Sequence, residues 1–217
     1  MAKQRTYRFD DFLTECRLLI EGARTNPAVA SLVATAGYDA AALAKGKALF
    51  DEVVDLHAVQ KKEYGEQYQA TEALDAAWTQ ADAAFSKTLK LARVAFRDNG
   101  PVMAILGLTG NRTFSLSAWL DRATVFYRNL LSDPSLLATL AKLGPTKEVL
   151  LAEQALVQAV ADSQVAQRTE AGEAQEATAI RETKVKALDR WIQDFRAVAK
   201  VVLDQRPQLL EKLGITA

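Results

Sequence analysis

Apolar residues recur every three or four positions along two long tracts of this chain, residues 39–98 and 146–205. In the first, Leu43, Phe50, Val53 and Val54 share a helical spacing that resumes with Leu74, Trp78, Ala81, Phe85, Leu89, Ala92 and Phe96. The second carries Leu150, Leu156, Val157 and Val160, then Val185, Leu188, Ile192, Phe195 and Val202. Such a period lays a stripe along one side of an α-helix. All five prolines (Pro27, Pro101, Pro134, Pro145 and Pro207) fall outside both tracts, as they must if each tract keeps an unbroken hydrogen-bond ladder. Asp39 and Thr146, each a short distance after a glycine, are placed to cap the tracts. Shorter helices are predicted ahead of them, over 9–24 and 27–35 and again over 116–131 and 134–143, with Ser115 and Asp133 as caps. Last turns near 101–106 and 207–213 should stop at Gly107 and Gly214. No stretch alternates with the period of a strand, so the expected fold is all-α.

The punctuation repeats. Laid over itself at an offset of 107 residues, the chain aligns without a gap, and 23 of the 110 overlaid pairs are identical. Arg5-Thr6 falls on Arg112-Thr113, Pro27 on Pro134, Gly37 on Gly144, and "LGLT" at Leu106–Thr109 on "LGIT" at Leu213–Thr216. Similar composition alone does not bring Pro and Gly into register from end to end, so the pattern predicts a tandem duplication. The repeats are 1–107 and 108–217, intertwined as one structural unit. Two long antiparallel helices with a cluster of short helices at each end would give a dumbbell or an elongated helical bundle.

Between its apolar ends each long tract turns polar, and that waist is a candidate contact region. Gln60, Glu63, Gly65, Glu66, Ala70 and Thr71 match Gln167, Glu170, Gly172, Glu173, Ala177 and Thr178 without a change, with Tyr64 and Tyr68 alongside. Symmetric helices that cross at their centres need the same small and polar residues, which is the simplest reason for the identity. The two glycines then mark a close backbone approach. A rival reading makes them hairpin turns that fold each tract back on itself.

Composition narrows the function classes. The chain has 27 basic and 27 acidic residues, so its net charge gives no long-range attraction to nucleic acid or an anionic membrane. The basic sets Lys87, Lys90, Arg93 and Arg97, and Arg196, Lys200 and Arg206, read as solvated helix faces. No apolar run approaches the roughly 20 residues needed to span a bilayer. A lone Cys16 and an N-terminal "MAKQRTYRFDDF" without the apolar core of a secretory signal set cytoplasm as the expected compartment. With one His and one Cys, neither a Glu-x-x-His di-metal bundle nor a zinc site of the usual ligands can be assembled. His57 reads as a partly buried, hydrogen-bonded side chain and Cys16 as a small core residue. "LGLTGNRTFS" lacks the Lys of a phosphate loop and reads as a connector. No catalytic residue, cofactor or metal is expected.

The segments "GLTGNRTFSLSAWLDRATVFYRNLL" and "RWIQDFRAVAKVVLDQRPQLLEKLGI" resemble a group of uncharacterised bacterial all-helical proteins of about this length. The resemblance implies a helical bacterial protein and brings no catalytic signature. The expected function is a non-enzymatic scaffold, spacer or adaptor acting through protein–protein contacts, with a protein partner or a second copy as its mate. The alternative is a module that holds a small ligand or a nucleic-acid backbone at the polar waist or the basic helix ends.

Overall fold

A computed structural model describes residues 9–110 and 115–215. Among these residues there are eight helices and no strand: α1 (Phe9–Thr25), α2 (Pro27–Ala34), α3 (Ala40–Ala95), α4 (Gly100–Ile105), α5 (Leu116–Ser132), α6 (Pro134–Ala141), α7 (Lys147–Val202) and α8 (Pro207–Lys212). Every helix in α1–α4 has a counterpart in α5–α8 whose first and last residues lie 107 positions further on. Arg5, Thr6, Arg112, Thr113 and Thr216 lie outside the described residues.

Local chemistry explains where the helices start and stop. Asp39 accepts a hydrogen bond from Ala42 N–H at 2.9 Å to open α3. Ser115 does the same for Ala118 ahead of α5, and Thr146 for Val149 ahead of α7. Asp133 holds the amides of Ser135 and Leu136. Asn26 and Asn99, which the sequence reading passed over, cap α2 and α4 in the same way. Gly37, Gly107, Gly144 and Gly214 end helices with φ between 59° and 115°, the left-handed conformation that L side chains resist.

Both readings of the waist glycines need correction. α3 runs without interruption through Gly65 and α7 through Gly172, and neither residue has a positive φ, so there is no hairpin. Nor is there a tight backbone approach, because a Cβ built on either glycine would meet nothing within 4 Å. Gly46 does make room for a neighbour, since an added Cβ there would run into the indole of Trp191.

The chain divides into two units. The first takes the described residues up to Tyr64 and from Glu173 onward, and the second is Gly65–Gly172. In the first, Cys16, Leu19 and Ile20 of α1 and Val29 and Val33 of α2 close over Phe50 and Val53 of α3 and Leu188, Ile192 and Phe195 of α7. Here α3 and α7 pack antiparallel: Glu52 meets Lys184 at 2.7 Å, and Gln60 meets Thr178. Trp191 and Phe195 stack 5.3 Å apart, with Tyr38 edge-on to both. In the second unit Phe85 sits among Trp119, Phe126 and Tyr127. Around them pack Leu130 of α5, Leu140 of α6 and Leu150 and Val160 of α7. Each fully buried side chain of this kind contributes about 1.5–3 kcal/mol.

Glycine substitutions separate the two environments. Gly65→Ala and Gly172→Ala should each stabilise the fold by up to about 1 kcal/mol, since the new methyl meets open space and Ala favours helix. Gly46→Ala should instead cost about 1–3 kcal/mol by pushing Trp191 out of its stack. Chemical denaturation of the three variants checks the difference in sign.

Candidate functional site

Within the first unit, three of the predicted waist residues share one hydrogen-bonded network. Gln60 is 6% exposed, and its amide joins two helices: Nε2 donates to Thr178 Oγ1 at 2.9 Å, while Oε1 accepts from Arg181 Nη1 at 2.7 Å. Thr178 Oγ1 lies 3.3 Å from the Tyr64 hydroxyl and donates to Ala174 O. Arg181 is the residue that the sequence reading missed. Its Nη1 is also 3.4 Å from His57 Nδ1, and its guanidinium carbon sits 4.8 Å over the Phe9 ring. Phe9 and His57 have ring centroids 4.5 Å apart. A cation pressed on an aromatic face and tied to an amide is stabilised in place, so the network joins α1, α3 and α7 through side chains that mostly engage one another.

Burial lowers the His57 pKa below 6.5, followed by the positive charges of Lys61 and Arg181; Asp10 and the bond to Gln60 oppose the shift. The ring is held neutral by its surroundings, as an acceptor would be.

The remaining waist residues do not join this network. Glu63 and Glu66 are half-buried on α3, and Tyr68 is exposed. On α7 Gln167 and Glu170 are half-buried, and Gly172 and Glu173 are exposed. Thr71 corresponds to Thr178, but its hydroxyl donates to Gln67 O of its own helix. Gln167, the counterpart of Gln60, is not bonded to it. The cause lies in the next positions: where the first unit has Arg181 and His57, the second has Leu74 and Gln164, and Leu74 is buried in apolar contacts.

The second unit has a polar centre of its own, absent from the sequence reading. Glu153 accepts from Tyr127 O–H at 2.9 Å and from Thr88 Oγ1 at 3.0 Å, and Thr88 is 2% exposed. Burial, and then the adjoining carboxylate, push the Tyr127 hydroxyl above the ordinary phenol range. Glu153 falls between Leu150 and Val157 at seam spacing, which is the signal that marks it. Its counterpart is Gly46, so one position holds a bonded carboxylate in one unit and a glycine under Trp191 in the other.

A groove of about 500 Å³ opens between α1 and α7 of the first unit, with Phe12, Val185, Asp189 and Ile192 among its walls. Cys16 lines it too, and burial, reinforced by Asp189 and Glu15, pushes its thiol up to about 12, so the sulfur stays protonated and weakly nucleophilic.

The basic helix ends are partly spoken for. Arg93 donates to Leu108 O at 3.0 Å, and Arg196 meets Glu15 at 3.5 Å. No helix among the described residues is long and apolar enough to cross a membrane. No family model, curated protein or solved structure matches the chain.

Because Gln60 carries bonds from both neighbours, Gln60→Ala should cost about 1–3 kcal/mol, while Gln167→Ala should stay within about 0.5 kcal/mol. Denaturant midpoints compare the two directly. His57 makes a pH prediction. With its folded pKa below the unfolded 6.5, the unfolded chain binds more protons in that window. The stability that rests on neutral His57 is therefore complete above pH 6.5 and is lost as pH falls through the lowered value. The ring is half-exposed, so solvent screening keeps the effect small. Urea unfolding of wild type and His57→Gln from about pH 8 to about pH 5 should show a steeper fall in the wild type.

Proposed function

We propose that the chain is a non-enzymatic helical adaptor, built by tandem duplication, that binds protein partners along the outward faces of its long helices. One observation carries this reading. On α7, within the second unit, Leu151, Ala155, Gln158, Asp162 and Val165 are all exposed at alternating spacings of four and three. Leu151 is 45% and Val165 66% exposed, and a shallow groove of about 430 Å³ runs along the first four. The spacing is that of a helix–helix seam, with apolar Leu151, Ala155 and Val165 and polar Gln158 and Asp162 between them. The shared 107-residue register of the helices supports the duplication.

A second reading, a module that holds a small ligand, is favoured by the groove beside Phe12 in the first unit. A nucleic-acid backbone fits less well, since Arg93 and Arg196 already serve as internal hydrogen-bond donors.

Affinity capture from the native host, with wild type and a Leu151→Glu/Val165→Glu pair run side by side, tests the adaptor. Both side chains are exposed, so the pair should keep the wild-type helical circular dichroism. A protein partner captured reproducibly by wild type and lost by the pair is the expected outcome. A partner that the pair retains would remove this stripe as the docking face.

A further inference from the structure

The groove between α1 and α7 has a filled counterpart in the second unit. There Trp119 of α5 packs edge-on against Trp78 and Phe85 of α3, and its indole Nε1 donates to Asp82 Oδ1 at 2.8 Å. The residues 107 positions away are Phe12 for Trp119, Val185 for Trp78, Ile192 for Phe85 and Asp189 for Asp82. All four line the groove. Three large aromatic side chains have become smaller ones, and the carboxylate has stayed. The smaller side chains supply part of an opening of about 500 Å³, within the range of small-ligand sites.

The carboxylate bears on the chemistry of an occupant. Asp82 shows what this position accepts: the N–H of a planar bicyclic ring lying between helices. Asp189 holds the same place on α7 and accepts a bond from Gln193 Nε2 at 2.8 Å, which leaves its other oxygen, Oδ1, outside that bond. Of the other wall residues, Arg196 and Glu15 form an ion pair at 3.5 Å, Cys16 is a neutral thiol, and Lys186 adds a cation beside Asp189.

We propose that this groove binds a small planar heteroaromatic molecule bearing an N–H donor, an indole-type ligand, with the ring between Phe12 and Ile192 and the N–H directed at Asp189. It names a ligand class for the small-ligand reading and does not depend on the adaptor role. Partner capture tests that role separately.

Titration of the full chain with indole, followed through the methyl resonances of Val185 and Ile192, tests the proposal. Saturable shifts at these methyls, with those of Leu136 and Leu140 in the second unit unmoved, are expected. Benzofuran, which lacks the N–H, should bind about tenfold more weakly, the cost of leaving an acceptor unpaired. Phe12→Trp should fill the groove and weaken indole binding at least tenfold, and Asp189→Ala should remove the preference for indole over benzofuran. Ile192→Phe fills the same space from the other wall and serves as a second blocking variant should Phe12→Trp fold poorly. No saturable shift at low-millimolar indole, equal affinity for benzofuran, or binding that survives both blocking variants would overturn the assignment.

Discussion

The constraint on which everything else depends is the exposure that a very long amphipathic helix would suffer by itself. α3 and α7 each run for 56 residues, and the apolar stripes at their ends cannot be left in water. Covering them takes more than one partner. In each unit the stripe of one long helix is closed by part of the other and by short helices, of which α2, α4, α5 and α6 start at Asn, Asp or Ser caps. The caps are therefore more than local ornaments, since they decide which turns of the short helices face the stripe. Where large apolar side chains give way to polar ones, packing is replaced by directed bonds such as those of Gln60.

The two units meet the same requirement with different chemistry at equivalent positions. In one, Gly46 yields its side-chain volume to Trp191, and the interior there is held by stacked rings. In the other, Glu153 fills that position and is satisfied by Tyr127 and Thr88. The seam position occupied by Leu74 in one is taken by Arg181 in the other, and with His57 in place of Gln164 the matching glutamine enters a network. Identical residues at the waist thus have unequal roles, because a buried polar group acquires its role from the partners that satisfy it.

Much of the fold was legible in the sequence. The period of Leu74, Trp78, Ala81 and Phe85 and the absence of proline from the tracts required long helices, and the expected bounds differ from the observed ones by at most a few residues. The waist was less legible. Gln60, Tyr64 and Thr178 were singled out, yet the reason given for Gly65 and Gly172 failed, because a glycine tolerated on an exposed helical face looks the same in sequence as one required at a crossing. Arg181 and Glu153 were overlooked although both occupy seam positions. A charged residue within an apolar period is easily taken for an interruption, and only its neighbours across the seam show that it is bonded. The groove at Phe12 could not be found from its own residues, since it is defined by the absence of rings that the other unit has.

The division of the chain also has a consequence for its synthesis. The second unit is one contiguous stretch, Gly65–Gly172, whereas the first combines residues up to Tyr64 with those from Glu173 onward. On a ribosome the N-terminal helices emerge first but cannot close their core, because Leu188, Ile192 and Phe195 do not yet exist. The middle of the protein can therefore be complete while its beginning still waits, with Ile20, Val33 and Phe50 uncovered until the last quarter of the chain is made. For that interval the apolar faces of α1 and α2 wait on a stretch of α7 that lies more than a hundred residues further along the chain.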